Sequence, residues 1–214
     1  MFYIYLHGFA SSPESAKARD LLDRFHAFGL DLKVPDFNQS GFTQLTLTRQ
    51  IQQVEGLLPL QNTAEQPPVT LIGSSLGGLT AAWVAERNPQ VVKLLLLAPA
   101  FDFLAHWVPR LGQDQLDHWR QDGLLPVFHY REQQMLPLHY GFLTDAEQYR
   151  DDQLRRPVDT LILHGRHDEI IPFPSSQTYA AARPWVQLVE LDSDHALGNV
   201  HGEIWEAITA FCLR

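Results

Sequence analysis

A doubly wound α/β fold around a mostly parallel sheet of about six strands is what this 214-residue sequence predicts, on three observations. Short apolar runs alternate with longer segments of helical periodicity along most of the chain. Several of those runs are near-continuous rather than alternating, as expected of parallel strands covered on both faces. Composition agrees: 45% hydrophobic and 19% charged residues suffice for one substantial core.

The elements follow in order. Tyr3 to Leu6 reads as the first strand, and Ser12-Pro13 opens a helix that Gly29 ends, with proline where its missing N–H is harmless. A strand over Asp31 to Val34 precedes a helix over Thr43 to Leu58. Val69 to Ile72 and Val92 to Leu97 are strands on either side of a helix from Ser75 to Arg87. Thr160 to Leu163 and Val186 to Glu190 complete the sheet, with helices at Ser175 to Ala182 and Val200 to Cys212. Residues 101–156 break the rhythm: helix-like fragments, no convincing strand, and many aromatics, among them Phe101, Phe103, Trp107, Trp119, Phe128, Tyr130, Tyr140, Phe142 and Tyr149. The expectation is one domain over 1–214 carrying a helical cap or lid at 101–156, with these aromatics packing against the body.

Charge and termini narrow the partners. The formal net charge is −9 and no basic run exists, so nucleic acid and anionic membranes are not expected partners. The opening MFYIYLHGFASSP has no basic leader and meets His7 after six residues, too short for a signal segment or a span. Cys212 is the only cysteine and falls in the apolar pattern Ile204, Ile208, Phe211, which implies a reduced, buried thiol and a cytoplasmic location.

One turn, LIGSSLGGLT at residues 71–80, carries the chemistry. Read as G-x-x-x-x-G, it lacks the lysine a phosphate loop requires, because Leu79 stands there. Read as Gly73-Ser74-Ser75-Leu76-Gly77, it is the G-x-S-x-G elbow, where small residues flank a serine on a turn too sharp for side chains. A serine hydroxyl needs a base, and the base needs a carboxylate to fix its tautomer. The chain supplies both in the order this fold uses. Asp168, in LHGRHDEIIP, lies just past a strand's carboxyl end with Glu169 as its alternative, and His195, in LDSDHALG, sits on the loop before the last helix. Asp192 and Asp194 read as turn formers, and Ser74 as a side chain serving local backbone groups. The N–H groups of Phe9, after His7-Gly8, and of Leu76 are the candidates for an oxyanion hole. His164, His167 and His201 form no metal signature, so neither a metal nor a cofactor is expected.

Together HGF, GSSLGG, HGRHDEIIP and SDHA resemble the α/β-hydrolase superfamily over the whole chain. The opening YLHGFASSPESAKA with GSSLGG is similar to the small bacterial YqiA/YcfP-like esterases. That resemblance implies a hydrolase sheet lacking its first two strands, with Ser75 as nucleophile, Asp168 as orienting acid and His195 as base. It also implies a small-molecule carboxylic ester or acyl thioester as substrate. Three other readings share parts of the pattern: a non-catalytic protein that binds a ligand in the same cleft, a triad enzyme acting as a perhydrolase or carbon–carbon bond hydrolase, and a nucleotide-binding protein.

Overall fold

A computed structural model describes residues 1–39, 41–59 and 67–213. Six parallel strands form the main sheet: β1 (Phe2–Leu6), β2 (Leu32–Lys33), β3 (Val69–Ser74), β4 (Val91–Leu97), β7 (Asp159–Gly165) and β8 (Val186–Leu191), in the spatial order β2-β1-β3-β4-β7-β8. The chain starts in β1, steps outward to β2, then returns past β1 to β3 and continues to the opposite edge. The direction of winding therefore reverses between β1 and β3, and the carboxyl ends of those two strands border the crevice where open α/β sheets bind ligands.

Alternation along the strands builds a core on each face. In β1, Ile4 and Leu6 face one core while Tyr3 and Tyr5 face the other; Leu94 and Leu96 of β4 oppose Leu95 and Leu97 in the same way. The first core is closed by α2 (Leu47–Glu55) and α3 (Leu76–Arg87), the second by α1 (Ala16–Ala27) and α8 (His201–Cys212). Every residue of α3 from Leu76 to Ala85 is buried, which its run of Gly, Ala and Thr permits. The helix α7 (Phe173–Ala181) packs beside β7 and β8. Cys212 is buried, and burial pushes its thiol up to about 12.

Two helix boundaries differ from the sequence expectation. Ser12-Pro13 lies in a preceding turn, where Ser12 Oγ accepts from Glu14 N–H; the helix itself starts at Ala16, with Ser15 Oγ accepting from Ala18 N–H. Gly29 does end it, at φ +71°. The expected helix over 43–58 is broken, because Thr46 caps a new start by accepting from Arg49 N–H, leaving only a 3₁₀ turn at Phe42–Gln44 before it.

The 101–156 insertion holds α4 (Phe103–Leu111), α5 (Gln113–Asp122), α6 (Gly141–Ala146) and, against expectation, an antiparallel hairpin of β5 (Leu124–His129) and β6 (Gln134–His139). Pro126 and Pro137 hide these strands in the sequence, yet they face each other across the ladder. Tyr140 N–H donates to Gly123 O, and alternation from that bond places the prolines at a non-hydrogen-bonded pair, where a missing N–H costs nothing. Phe103, Trp107 and Phe142 form one aromatic cluster with Phe9 of the body, Trp119 packs against Trp107, and Phe101 stacks on Tyr179 with centroids 3.8 Å apart. Phe128 and Tyr130 remain exposed on the hairpin.

Candidate active site

The elbow between β3 and α3 holds Ser75 at φ 53°, ψ −120°, a conformation that side-chain-bearing residues rarely adopt. Its backbone is pinned on both sides. Ser75 N–H donates to Leu97 O at 2.9 Å, and Ser75 O accepts from the N–H groups of Gly78 (2.8 Å) and Ala100 (3.1 Å). The flanking glycines are steric requirements. A Cβ on Gly73 would stand 2.7 Å from Gly78 Cα, and one on Gly77 would strike the Leu6 carbonyl and come within 2.6 Å of the His7 oxygen. Gly77→Ala must therefore push backbone off backbone, and it is expected to lower stability by about 3 kcal/mol or more, read as a fall in the urea midpoint at constant m.

The three residues read from the sequence converge here. His195 Nε2 lies 3.0 Å from Ser75 Oγ, and His195 Nδ1 lies 2.7 Å from Asp168 Oδ2. With Nδ1 donating to the carboxylate, Nε2 is left to accept from the hydroxyl. Asp168 has a fully buried side chain. Its Oδ1 accepts from Ile170 and Ile171 N–H, both at 2.8 Å, while Oδ2 also accepts from His164 Nε2 at 3.1 Å. Burial alone would raise this carboxyl, but the hydrogen bonds from His164 and His195, with the His195 charge, hold it well below the usual carboxylate range.

His164 is a residue that sequence reasoning missed in this setting. Fully buried at the end of β7, it donates from Nε2 to Asp168 and to Ile171 O (2.9 Å), and its Nδ1 accepts from Ser176 at 2.7 Å. The i,i+4 spacing of His164 and Asp168 was the only local signal. His167 is spent elsewhere, on Asp192 at 3.0 Å, while Asp194 Oδ1 accepts from Ala196 and Leu197 N–H as a turn former should.

The turn after β1 runs directly beside the serine, since a Cβ on Gly8 would lie 3.3 Å from Ser75 Cβ. Buried His7 shapes that turn: its Nδ1 donates to Gly8 O (3.0 Å) and its Nε2 accepts from Phe37 N–H (3.2 Å). Burial lowers the His7 pKa against the pull of the Gly8 carbonyl and Asp36, which favours the neutral ring these two bonds need. The Gly8 carbonyl and the Phe9 N–H belong to one trans peptide, so anchoring the oxygen fixes the N–H on the opposite side. Leu76 is the first residue of α3, and its N–H has no acceptor within the helix. Ser74 departs from expectation: among the described residues its hydroxyl oxygen accepts from the side chain of Lys17, at 3.0 Å from Nζ, rather than from a backbone N–H.

Beside Leu76 lies a cavity of about 330 Å³ whose apolar wall is formed by Leu47, Leu76, Leu79, Phe103, Leu104 and Ala146. Polar groups of both signs complete the lining: Asp102, Glu147, Arg150, Asp151 and Asp152, with Arg150 paired to Asp152 and burial pushing the Asp151 carboxyl up to about 7. The insertion is fastened to the loop bearing Asp168 by Arg110, which donates to Glu169 O, and to α7 by His106 Nε2 at 2.8 Å from Ser175 Oγ.

A parallel sheet that turns through a strained serine at its switch point, with aspartate and histidine delivered from the ends of its last two strands, β7 and β8, defines an α/β-hydrolase-fold protein. More narrowly, residues 2–212 match the family model described as Uncharacterised protein family (UPF0227), and the chain belongs to that family. It is similar to 2-hydroxymuconate semialdehyde hydrolase from Pseudomonas sp. strain CF600, at 25% identity over 87% of this chain and 71% of that protein. The mitochondrial palmitoyl-protein thioesterase ABHD10 of Mus musculus is 31% identical over 55% of this chain, a stretch that takes in 40% of that relative's length. Among solved structures, mouse alpha/beta hydrolase domain-containing protein 10 superposes with a TM-score of 0.74 at 22% identity, over 97% of this chain and 86% of that one. Est1E from Butyrivibrio proteoclasticus with ferulic acid bound superposes at 0.82 with 19% identity, over 99% and 88%. The two structural likenesses, both under 25% identity, show that the chain shares the α/β-hydrolase fold. Among the described residues no helix is long and apolar enough to cross a membrane.

Proposed function

We propose that the protein is a serine hydrolase that cleaves carboxylic ester or thioester bonds of small or acyl substrates through a covalent acyl-enzyme. The observation that carries this reading is the unbroken chain Ser75 Oγ, His195 Nε2, His195 Nδ1, Asp168 Oδ2, with links of 3.0 and 2.7 Å. In the first step Ser75 Oγ attacks the carbonyl carbon while His195 Nε2 takes the hydroxyl proton. The N–H groups of Phe9 and Leu76 hold the developing oxyanion. Collapse of the tetrahedral intermediate breaks the bond to the alcohol or thiol, which leaves with the proton from His195. Water then attacks the acyl-serine, losing its proton to His195, and the acid departs as Ser75 regains its hydrogen. Asp168 stays ionised throughout, and the residues named here need no cofactor or metal.

The cavity beside Leu76 is the acyl site in this reading, and residues 101–156 form the cap over it. A volume of about 330 Å³ is at the small end for ligand pockets, so a compact acyl or aryl group fits better than a long chain. Hydrolysis of p-nitrophenyl esters from acetate to palmitate, with acyl thioesters alongside, is expected to show an optimum at short or aryl acyl groups. A folded protein inactive on every ester and thioester would count against the proposal and toward a binding role, and an optimum at palmitate would count against this acyl site.

A further inference from the structure

One oxygen of the Asp168 carboxylate serves two histidines. Oδ1 is held by the N–H groups of Ile170 and Ile171 on its own loop, while Oδ2 accepts from His195 Nδ1 at 2.7 Å and from His164 Nε2 at 3.1 Å. The two rings are held differently. His195 rides on the loop after β8 with its side chain 24% exposed, whereas the His164 side chain is wholly buried at the end of β7. The first turn of α7 clamps the His164 ring: Phe173 meets it edge-on with centroids 5.7 Å apart, and Ser176 Oγ, three residues further along that helix, lies 2.7 Å from Nδ1. Nε2 must carry a hydrogen, because both atoms it faces, Asp168 Oδ2 and Ile171 O, are acceptors. The donor that His164 presents to Asp168 is therefore fixed by β7 and α7, independently of His195.

We propose that His164 is a positioning residue of the hydrolytic site: it aims Asp168 Oδ2 at the point where His195 Nδ1 must arrive. The catalytic consequence rests on the serine-hydrolase reading, but the geometric coupling does not. The terminal torsion of an aspartate is broad, so a carboxylate pinned at Oδ1 can still swing Oδ2. With His164 removed, His195 would have to hold its own orienting acid from an exposed loop. With His164 in place, Oδ2 is set from the body of the protein, and the imidazole that docks on it is turned with Nε2 3.0 Å from Ser75 Oγ. The leverage is large, because a displacement of about 1 Å in a catalytic group can cost on the order of 10²-fold in rate.

Two amides separate positioning from packing. Glutamine places its NH₂ near the site of Nε2, so H164Q keeps the donor to Asp168 and loses the partner of Ser176; asparagine reaches only the site of Nδ1, so H164N does the reverse. On a p-nitrophenyl ester, H164N is expected to lower kcat on the order of 10²-fold with KM within about threefold of the parent, and H164Q to stay within about fivefold in both. Fluorophosphonate labelling of Ser75 should follow the same order. Parental kcat in H164N, or equal losses in the two variants, overturns the proposal. If only one variant folds it decides alone, since a 10²-fold loss in H164Q is equally contrary. Crystal structures of the variants read the coupling without activity: the separation of His195 Nδ1 from Asp168 Oδ2 is expected to stay near 2.7 Å in H164Q and to open beyond about 3.5 Å in H164N. An unchanged separation in H164N overturns the positioning role. A parent protein that takes up no label while H164N shows the opened separation contradicts the serine-hydrolase reading and leaves the positioning established.

Discussion

Ser75→Ala is expected to lower kcat on a p-nitrophenyl ester by about 10⁴ to 10⁶-fold while the thermal midpoint stays close to that of the parent protein. The rate effect is large because the proposed chemistry passes through one oxygen, and nothing near it can substitute. Ser74 is the adjacent hydroxyl, but it is turned to Lys17 and lies 8% exposed beneath the turn. Stability is spared for a separate reason. The side-chain bond of Ser75 goes to His195, whereas the strained backbone is held by main-chain bonds to Leu97, Gly78 and Ala100 that alanine retains. A loss below tenfold in a pure sample would remove Ser75 from the mechanism.

Asp168→Asn is expected to reduce kcat by roughly 10⁴-fold and, unlike Ser75→Ala, to destabilise the fold by about 2–4 kcal/mol at neutral pH. All four of its partners are donors: the N–H groups of Ile170 and Ile171 on one oxygen, His164 and His195 on the other. An amide placed there must point its NH₂ at donors whichever way it turns. The His195 tautomer is then lost or a buried N–H is left unpaired. The pH dependence has a fixed sign. Because the folded state holds the Asp168 carboxyl below its unfolded value, near 3.9, its stabilisation is present above that pH and disappears as pH falls through the folded value. The stability gap between wild type and Asp168→Asn, measured by urea unfolding, should therefore be widest near pH 7 and narrow below about pH 4.

The four inner strands of the main sheet were legible because they are largely shielded on both faces and so read as apolar runs, as in Val69-Thr-Leu-Ile72 and Val92-Lys-Leu-Leu-Leu-Leu97, while the partly exposed edge strands β2 and β8 were legible from their place in the alternation of strands and helices. The hairpin of β5 and β6 was not, since one face is exposed and each strand carries a proline whose compatibility depends on its register with the partner. In the site, Ser75 was readable from the glycines its turn demands, and Asp168 and His195 from their places after successive strands. Lys17, His7 and His164 left weaker traces. Lys17 meets Ser74 across 57 positions, and His7 meets Phe37 across 30, so neither contact imposes a local period on the sequence. A buried histidine such as His164 looks the same in a string whether it braces a carboxylate or fills a core.

The central claim is that Ser75 is a nucleophile made reactive by His195, and covalent trapping tests it most directly. The folded protein is incubated with a fluorophosphonate, and the adduct is located by peptide mass spectrometry in the parent, Ser75→Ala and His195→Gln. The account predicts one stoichiometric adduct on Ser75, none in Ser75→Ala, and labelling slowed by at least about 10²-fold in His195→Gln. A folded parent protein that takes up no label, or takes it up on another residue, would contradict it.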